Sequence, residues 1–168
     1  MMSAAILCCA LAFSACNKND DSAPEKKDTT PVYVQLVFTM EEPQDMVDNV
    51  DITVTYSNGT DQVSEKMTST KLTKALNGKL PASFTITSKK KLKEGITLSD
   101  DVRYVYTGGI SAYYTLLNAA KEEIRTDRLS SASNTQANKG SVVTMLINEG
   151  TLDKEFTYSF DKDGKANY

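Results

Sequence analysis

The chain has 168 residues, a net charge of −3 and 40% hydrophobic residues, and it contains neither histidine nor tryptophan. A chain without histidine cannot use Ser–His or Cys–His nucleophilic catalysis or imidazole metal ligands. Its lysines are mixed with acids, so nothing indicates binding to nucleic acid. We therefore predict a non-enzymatic chain with no catalytic residue, no cofactor and no metal site, long enough for one domain with a hydrophobic core.

The first fifteen residues carry no charged side chain and are almost all apolar or small. They end at Cys16, and the polar stretch Asn17–Asp21 follows at once. Such a stretch is too short to cross a bilayer as a helix and is typical of a secretory signal with a small-residue cleavage site. We predict a signal peptide over residues 1–15.

The segment Phe13-Ser14-Ala15-Cys16 resembles the lipobox of bacterial lipoproteins, in which small residues precede a lipid-bearing cysteine. The resemblance implies a diacylglyceryl group on Cys16, a membrane as partner and a location in the cell envelope, anchored to the outer membrane. The chain departs from the pattern by having Phe13 where Leu is usual and no Lys or Arg before Cys16. The alternative is an ordinary signal peptide cleaved after Ala15.

Residues 16–31 form a predicted tether that is nearly all polar as far as Asp28. So little apolar surface cannot offset the entropy of ordering, so we expect disorder. The stretch Asn17–Asp21 is also similar to signals that send Bacteroidetes lipoproteins to the cell surface, although it is equally typical of a solvated linker. Asp21-Ser22-Ala23 and Asp28-Thr29-Thr30 resemble O-glycan acceptor sites of exported Bacteroidetes proteins, which makes Ser22 and Thr29 candidate glycosylation sites.

Residues 32–168 are predicted to form the folded domain. Apolar residues alternate with others from Val32 to Met40 and again from Val50 to Ser57, which predicts two half-buried strands. Asn58-Gly59 is a strong hairpin signal because both residues tolerate positive φ. The return segment, Asp61–Thr70, has few apolar residues and is predicted to be an edge strand.

The next segment is predicted to contain a turn, a strand and a loop. Asn77-Gly78 predicts the turn, and Leu80–Thr87 alternates as a strand. The basic run Lys89–Lys93 is predicted to be a solvated loop, with contact to anionic lipid or glycan as the alternative.

A third hairpin is predicted from Val102–Thr107 and Ile110–Leu117, joined by Gly108-Gly109. These two strands are rich in tyrosine, a residue type that favours strands and cross-strand pairs. The alternative is that the four rings form a stacking platform for a sugar ring. The candidate ligand surface consists of Tyr104, Tyr106, Tyr113 and Tyr114.

The last part of the chain has the least regular pattern. Asn118–Gly140 allows one or two helical turns, and Ser130–Asn138 is polar enough to be mobile. Ser141–Ile147 is nearly all apolar and is predicted to be a central strand, and Leu152–Phe160 is predicted to be another strand.

Seven or eight short strands separated by turn signals predict an all-β fold. We expect an immunoglobulin-like antiparallel β-sandwich, with a lipocalin-like up-and-down barrel as the alternative. The layout also resembles a group of small Bacteroidetes lipoproteins with such a domain. The segments that carry this resemblance are Val34–Met40, Val50–Gly59, Leu80–Ile86 and Thr157–Gly164, and none of them is a catalytic signature.

These patterns favour a non-enzymatic envelope lipoprotein that presents an interaction module on a tether and binds a glycan or a protein partner. A barrel would instead suit a carrier of an apolar ligand. A small carboxylate-dependent glycoside hydrolase is the third hypothesis. Its acids would come from Asp100, Asp101, Glu122, Glu123 and Asp127.

Overall fold

The structure, a computed structural model, describes residues 27–107, 109–129 and 135–168. The predicted signal peptide, Cys16, Ser22 and the first part of the predicted tether lie outside the described residues. The described strands are β1 (Tyr33–Glu41), β2 (Val50–Ser57), β3 (Gln62–Lys66), β4 (Lys71–Lys79), β5 (Ala82–Leu92), β6 (Arg103–Thr107), β7 (Ile110–Leu117), β8 (Glu123–Leu129), β9 (Thr135–Lys139), β10 (Lys154–Phe160) and β11 (Ala166–Asn167). The helices are α1 (Gln44–Asn49) and α2 (Gly140–Asn148).

The strands form two main antiparallel sheets and one ribbon. The four-stranded sheet has the order β4-β1-β7-β8, the five-stranded sheet has the order β11-β10-β5-β2-β3, and β6 pairs with β9. The prediction of an antiparallel all-β sandwich is confirmed. The sheets do not close on one another within the described residues, so the barrel alternative is wrong.

Side chains alternate along a strand, so the apolar residues of each alternating strand point to one side of their sheet. The core lies between the two sheets, where these apolar sides face each other. Phe38 on β1 and Phe84 on β5 are fully buried. Ring pairs join the sheets: the Phe38 and Tyr56 centroids lie 5.6 Å apart, and those of Tyr114 and Phe160 lie 4.9 Å apart. Inward side chains of both sheets therefore make one continuous core.

The hairpin predicted at Asn58-Gly59 is confirmed, and it joins β2 to β3. The Asn58 side-chain oxygen accepts hydrogen bonds from the backbone N–H groups of Thr60 (3.1 Å) and Asp61 (2.8 Å). Gly59 has φ +87°, a left-handed conformation that glycine adopts without strain. The edge position predicted for β3 is also confirmed.

The second predicted turn, at Asn77-Gly78, is wrong. Both residues lie inside β4, and the chain reverses instead after Lys79, around Leu80-Pro81. A Cβ at Gly78 would lie 3.0 Å from the Cβ of Ala82 and 3.1 Å from the ring of Phe84. Glycine is therefore needed here for close packing of the strand, a role that the dipeptide pattern does not distinguish from a turn.

The predicted third hairpin is also wrong. β6 pairs with β9, whereas β7 lies between β1 and β8 in the four-stranded sheet. Every second residue of β7 is buried, from Ile110 to Leu116. These buried side chains belong to the core, so β7 lies in a main sheet of the sandwich.

The connection Asn118–Gly140 contains strands where helical turns were predicted. β8 extends the four-stranded sheet, and β9 completes the ribbon. Residues 130–134 of the segment predicted to be mobile lie outside the described residues. Pairing with β7 and β6 decides the conformation here, so the local pattern alone could not predict it.

The strand predicted over Ser141–Ile147 is wrong, because these residues lie in α2. Val143 and Ile147 are buried one helical turn apart, and the Asp100 carboxylate accepts hydrogen bonds from the Ser141 N–H (2.7 Å) and hydroxyl (3.0 Å). These bonds satisfy the helix N-terminus from a neighbouring loop. A seven-residue apolar run is ambiguous between helix and buried strand, and here the partner was remote in sequence.

The sandwich has two different ends. The chain enters at the end that we call proximal, where the Val32 N–H bonds Leu117 O (2.9 Å), the Val32 carbonyl accepts from Leu80 N (2.9 Å) and the Asn118 amide bonds Asp28 O (3.0 Å). The opposite, distal end carries α1, α2 and the β6–β9 ribbon, which pack against one another.

Candidate binding face

The structure does not bring the four candidate tyrosines onto one surface. Tyr106 and Tyr114 are buried, each with 5% of its surface exposed. Tyr104 is half-buried in the ribbon, where its hydroxyl accepts a hydrogen bond from Ser99 N at 3.1 Å. Tyr113 differs from the others, because 45% of its surface is exposed.

Tyr113 and Tyr114 are neighbours in sequence, but they lie on opposite faces of the same sheet because side chains alternate along a strand. The Tyr114 hydroxyl accepts a hydrogen bond from Arg125 (3.1 Å) and donates to Asp127 Oδ2 (3.2 Å). Burial raises the pKa of Tyr114 above its ordinary value. Tyr114 therefore has a structural role in the sandwich. Of the four tyrosines, Tyr113 remains as a candidate for contact with a ligand.

Tyr113 lies in the middle of the outward surface of the four-stranded sheet, which we call the β1 face. One row of residues crosses all four strands there, in the order Ala75, Val37, Tyr113, Arg128. Ala75, Tyr113 and Arg128 are exposed and Val37 is half-buried. The full set of outward side chains on the β1 face is Tyr33, Gln35, Val37, Thr39, Glu41, Lys71, Thr73, Ala75, Asn77, Lys79, Ser111, Tyr113, Thr115, Leu117, Glu123, Thr126 and Arg128.

The row on the proximal side of Tyr113 is polar and internally hydrogen-bonded. The Gln35 amide donates to Asn77 Oδ1 at 3.0 Å, and the Thr115 and Thr126 hydroxyls lie 2.8 Å apart. These bonds hold the side chains flat on the sheet. Each amide and hydroxyl still has spare donors or acceptors, which a bound molecule could use.

A second polar row lies on the distal side of Tyr113, where the Thr39 and Thr73 hydroxyls are 2.9 Å apart. Beyond the proximal polar row, Tyr33 lies between Lys79 and Leu117. The β1 face is thus an alternation of apolar, aromatic-containing rows and polar rows. Such a flat amphipathic surface can stack against the C–H face of a ring while hydrogen-bonding its polar substituents.

A cleft of about 530 Å³ lies beside β8, at the edge between the two sheets, and Arg128 is the residue of the β1 face that lines it. Arg125 in the cleft is paired with Asp127, with 2.7 Å between Nε and Oδ2. Arg128 and Lys165 also line the cleft, and neither has a carboxylate within 4.0 Å among the described residues. The cleft also contains Asp163, which is paired with Lys162 at 2.9 Å, so three cations and two carboxylates line this edge.

The basic run predicted to be a loop lies mostly in β5, so that prediction is wrong for Lys89 to Leu92. Lys89 and Lys91 point to solvent, but Lys90 points inward and only 1% of its side chain is exposed. Its ammonium lies 2.8 Å from Glu42 Oε1 and donates to Leu152 O at 3.1 Å. Because side chains alternate along β5, the lysines of this basic run lie partly in solvent and partly in the core.

The acids considered for hydrolysis occur at separate places. Asp100 bonds Ser141 at the distal end, while Glu122 Oε2 accepts a hydrogen bond from the Asn118 amide at the proximal end (3.1 Å). Asp127 is paired with Arg125 at the edge of the sheet. Glu123 accepts from the Thr126 hydroxyl (3.0 Å), and Asp101 accepts from the Ser99 hydroxyl (3.2 Å).

The described residues contain no group of three or more His, Cys, Asp or Glu side chains that could hold a metal ion. Thr29 is exposed and lies beside Asp28, whose carboxylate accepts a hydrogen bond from Thr30 N at 2.9 Å. This bond lowers the pKa of Asp28. Cys16 and Ser22 lie outside the described residues.

Val37 is the residue of the β1 face that sequence reasoning missed. The alternation from Val32 to Met40 places Val37 on the polar side of β1, and the structure shows it on that side. An apolar residue on the polar side of a strand is the local signal that could have identified the row. Its neighbours Ala75 and Arg128 come from strands whose pairing the sequence did not reveal.

Comparison of the chain with protein-family models, with curated proteins and with solved structures finds no match. Within the part of the chain that the structure describes, no helix is long and apolar enough to cross a membrane.

Proposed function

We propose that the chain is a non-enzymatic lipoprotein of the cell envelope, anchored to the outer membrane by lipid on Cys16. Its immunoglobulin-like sandwich acts as a binding module for a glycan or protein, and the β1 face is the binding surface. The observation that carries this proposal is the row of Ala75, Val37, Tyr113 and Arg128, because it exposes an aromatic ring on a flat sheet. Isolated exposed apolar residues are common, but a row in register between hydrogen-bonded polar rows is a more specific arrangement.

The position of the chain's N-terminal part supports this arrangement. Residues 27–32 approach the proximal end, where Lys27 lies 3.8 Å from Glu122. From there β1 runs for nine residues toward the distal end, about 30 Å at the usual rise per residue. A lipid on Cys16 would hold the proximal end toward the membrane, and the β1 face would extend away from it.

Metabolic labelling with a palmitate analogue tests the anchor. We expect the label on the full-length protein in a Gram-negative host and its loss in the Cys16→Ser variant. Cys9→Ser is the matched control, because it removes a cysteine of the predicted signal peptide and leaves Cys16 in place. A wild-type protein without label, in cells whose other lipoproteins are labelled, would contradict the anchor.

Protease digestion of intact cells tests on which side of the outer membrane the domain lies. Loss of a C-terminal tag while a periplasmic protein stays intact would support presentation on the surface. Protection of the tag would show that the prediction of a surface-export signal at Asn17–Asp21 is wrong. Partners would then be sought by cross-linking in the periplasm.

A further inference from the structure

We propose that the β1 face binds an extended acidic glycan, with one sugar ring stacked on Tyr113 and its carboxylate or sulfate group held by Arg128. This inference rests on the proposed function, because it names the ligand class of the same face. It is carried by the repeated combination of an aromatic ring and a cation in one row.

The first combination is Tyr113 beside Arg128. The two residues are direct cross-strand neighbours on β7 and β8, and both are exposed. Among the described residues, the Tyr113 hydroxyl forms no hydrogen bond, whereas that of Tyr114 forms two. The ring and hydroxyl of Tyr113 are thus available to a ligand, and the Arg128 guanidinium can bind a carboxylate or sulfate through two parallel hydrogen bonds.

The second combination is Tyr33 beside Lys79, which are cross-strand neighbours on β1 and β4, while the far end of the same row holds Leu117 and Glu123. Tyr33 lies four residues before Val37, so the two rows are about 13 Å apart along the sheet. Polar side chains of Gln35 and Asn77 occupy the row between them. Two similar subsites separated by hydrogen-bonding groups suit a polymer with repeating acidic units better than a single small molecule.

Two cations at the β8 edge support an acidic rather than a neutral ligand, because the carboxylates of the same cleft, Asp127 and Asp163, are already paired with Arg125 and Lys162. Arg125 is neutralised by Asp127 at 2.7 Å, but Arg128 and Lys165 have no carboxylate within 4.0 Å among the described residues. Both line the 530 Å³ cleft beside the face. An acidic substituent that reaches over the edge from Tyr113 would therefore meet a second cation.

The polarity of the face argues for a glycan over a protein partner. A stable protein interface has a contiguous apolar centre with a polar rim. Here polar rows lie on both sides of Tyr113, with hydrogen-bonded pairs at Thr39–Thr73 and Gln35–Asn77. A sugar polymer offers hydroxyl groups to such rows and apolar C–H faces to the ring between them.

Binding is tested with the full-length protein in detergent against heparin, polygalacturonate and dextran. Heparin carries sulfate and carboxylate groups, polygalacturonate carries carboxylates alone, and dextran is neutral. We expect binding to at least one acidic polymer, weaker binding at high salt because exposed charges are screened, and no binding to dextran. Binding to heparin alone would assign the recognised anion as sulfate. Binding to both acidic polymers would show that a carboxylate is sufficient.

Four variants locate the site. Tyr113→Ala should lower the affinity about fivefold to tenfold through loss of stacking, while Tyr113→Phe keeps the ring and should bind nearly as wild type. Arg128→Ala should lower it about fivefold, as expected for one exposed ion pair. Arg103→Ala is the matched control, because it removes an exposed arginine from the ribbon and should leave the affinity unchanged.

Three results would overturn the proposal. Equal binding to dextran would show that charge plays no part. An effect of Arg103→Ala as large as that of Arg128→Ala would show non-specific attraction to positive charge. Failure of both acidic polymers to bind would exclude the ligand class, whereas palmitate labelling would still report separately on the lipid anchor of the proposed function.

Discussion

The two outward faces of the sandwich follow the same alternation but carry different side chains. On the five-stranded sheet, rows such as Ser64, Thr55, Thr87 and Glu155 contain only hydroxyl and charged groups. On the four-stranded sheet, the row through Tyr113 contains an aromatic and two aliphatic residues. Threonine and serine are compatible with a strand whose outer face contacts water. The apolar row of the four-stranded sheet therefore needs a separate explanation, and the proposed contact with a ligand provides one.

The difference teaches that period-two alternation predicts which side of a strand is buried and says little about what the other side does. Lysines in β5 illustrate this point. Lys89 and Lys90 are adjacent and identical in type, yet one is exposed and the other is buried against Glu42. Comparing inward and outward residues of the same strand therefore gives the sharpest tests.

The largest effect is expected at Lys90. Replacing Lys90 with Met would leave the Glu42 carboxylate buried without its partner, which costs about 3–5 kcal/mol of the free energy of unfolding. Urea unfolding measures the loss, and Lys89→Met should change the same quantity by less than about 0.5 kcal/mol.

The double variant Glu42→Leu/Lys90→Met checks the cause of that loss. Replacing both charges with apolar groups should recover much of the stability, because no unpaired charge remains. If Lys90→Met unfolded at the same urea concentration as wild type, the ion pair would not contribute as the structure indicates.

The pair Tyr113 and Tyr114 compares the two sides of β7. Tyr114→Ala should lower the free energy of unfolding by about 3 kcal/mol, since it leaves a cavity beside Phe160 and removes the hydroxyl that bonds Arg125 and Asp127. Tyr113→Ala should change it by about 0.5 kcal/mol or less. Equal losses in the two variants would mean that Tyr113 is a structural residue and would remove the main support for the β1 face.

A smaller effect is expected where α2 begins. A Cβ at Gly140 would lie too close to the Leu98 carbonyl oxygen for any side chain to fit without movement. Gly140→Ala should therefore cost about 1–3 kcal/mol in urea unfolding. Met145→Ala, at an exposed position of the same helix, is the control and should stay near wild type.

The smallest effect is a pH dependence at the same helix. Hydrogen bonds from Ser141 hold the pKa of Asp100 below its ordinary value of 3.8. A lowered folded pKa means that the stabilisation is complete above about pH 3.8 and is lost as the pH falls through the folded pKa. Asp100→Asn should flatten the decline in stability with acid, and an unchanged slope would contradict this role for Asp100.

The sequence determined the features that depend on neighbouring residues in the chain. Alternation from Val32 to Met40 and from Val50 to Ser57 predicted β1 and β2, and Asn58-Gly59 predicted the hairpin that joins β2 to β3, because side-chain direction and turn geometry are local properties. Enough strands of this kind also predicted the all-β sandwich. The lipobox-like segment ending at Cys16 is local too, and the anchor stays a prediction.

Beyond the β2–β3 hairpin, tertiary structure alone decided which strands pair and therefore which residues share a surface. The neighbours of β7 are β1 and β8, and this pairing sets Val37, Tyr113 and Arg128 side by side although they are far apart in sequence. The same holds for α2, whose helical form depends on Asp100 and the packing of Gly140 against Leu98. Pairing minimises the free energy of the whole core, so no short pattern could reveal the β1 face.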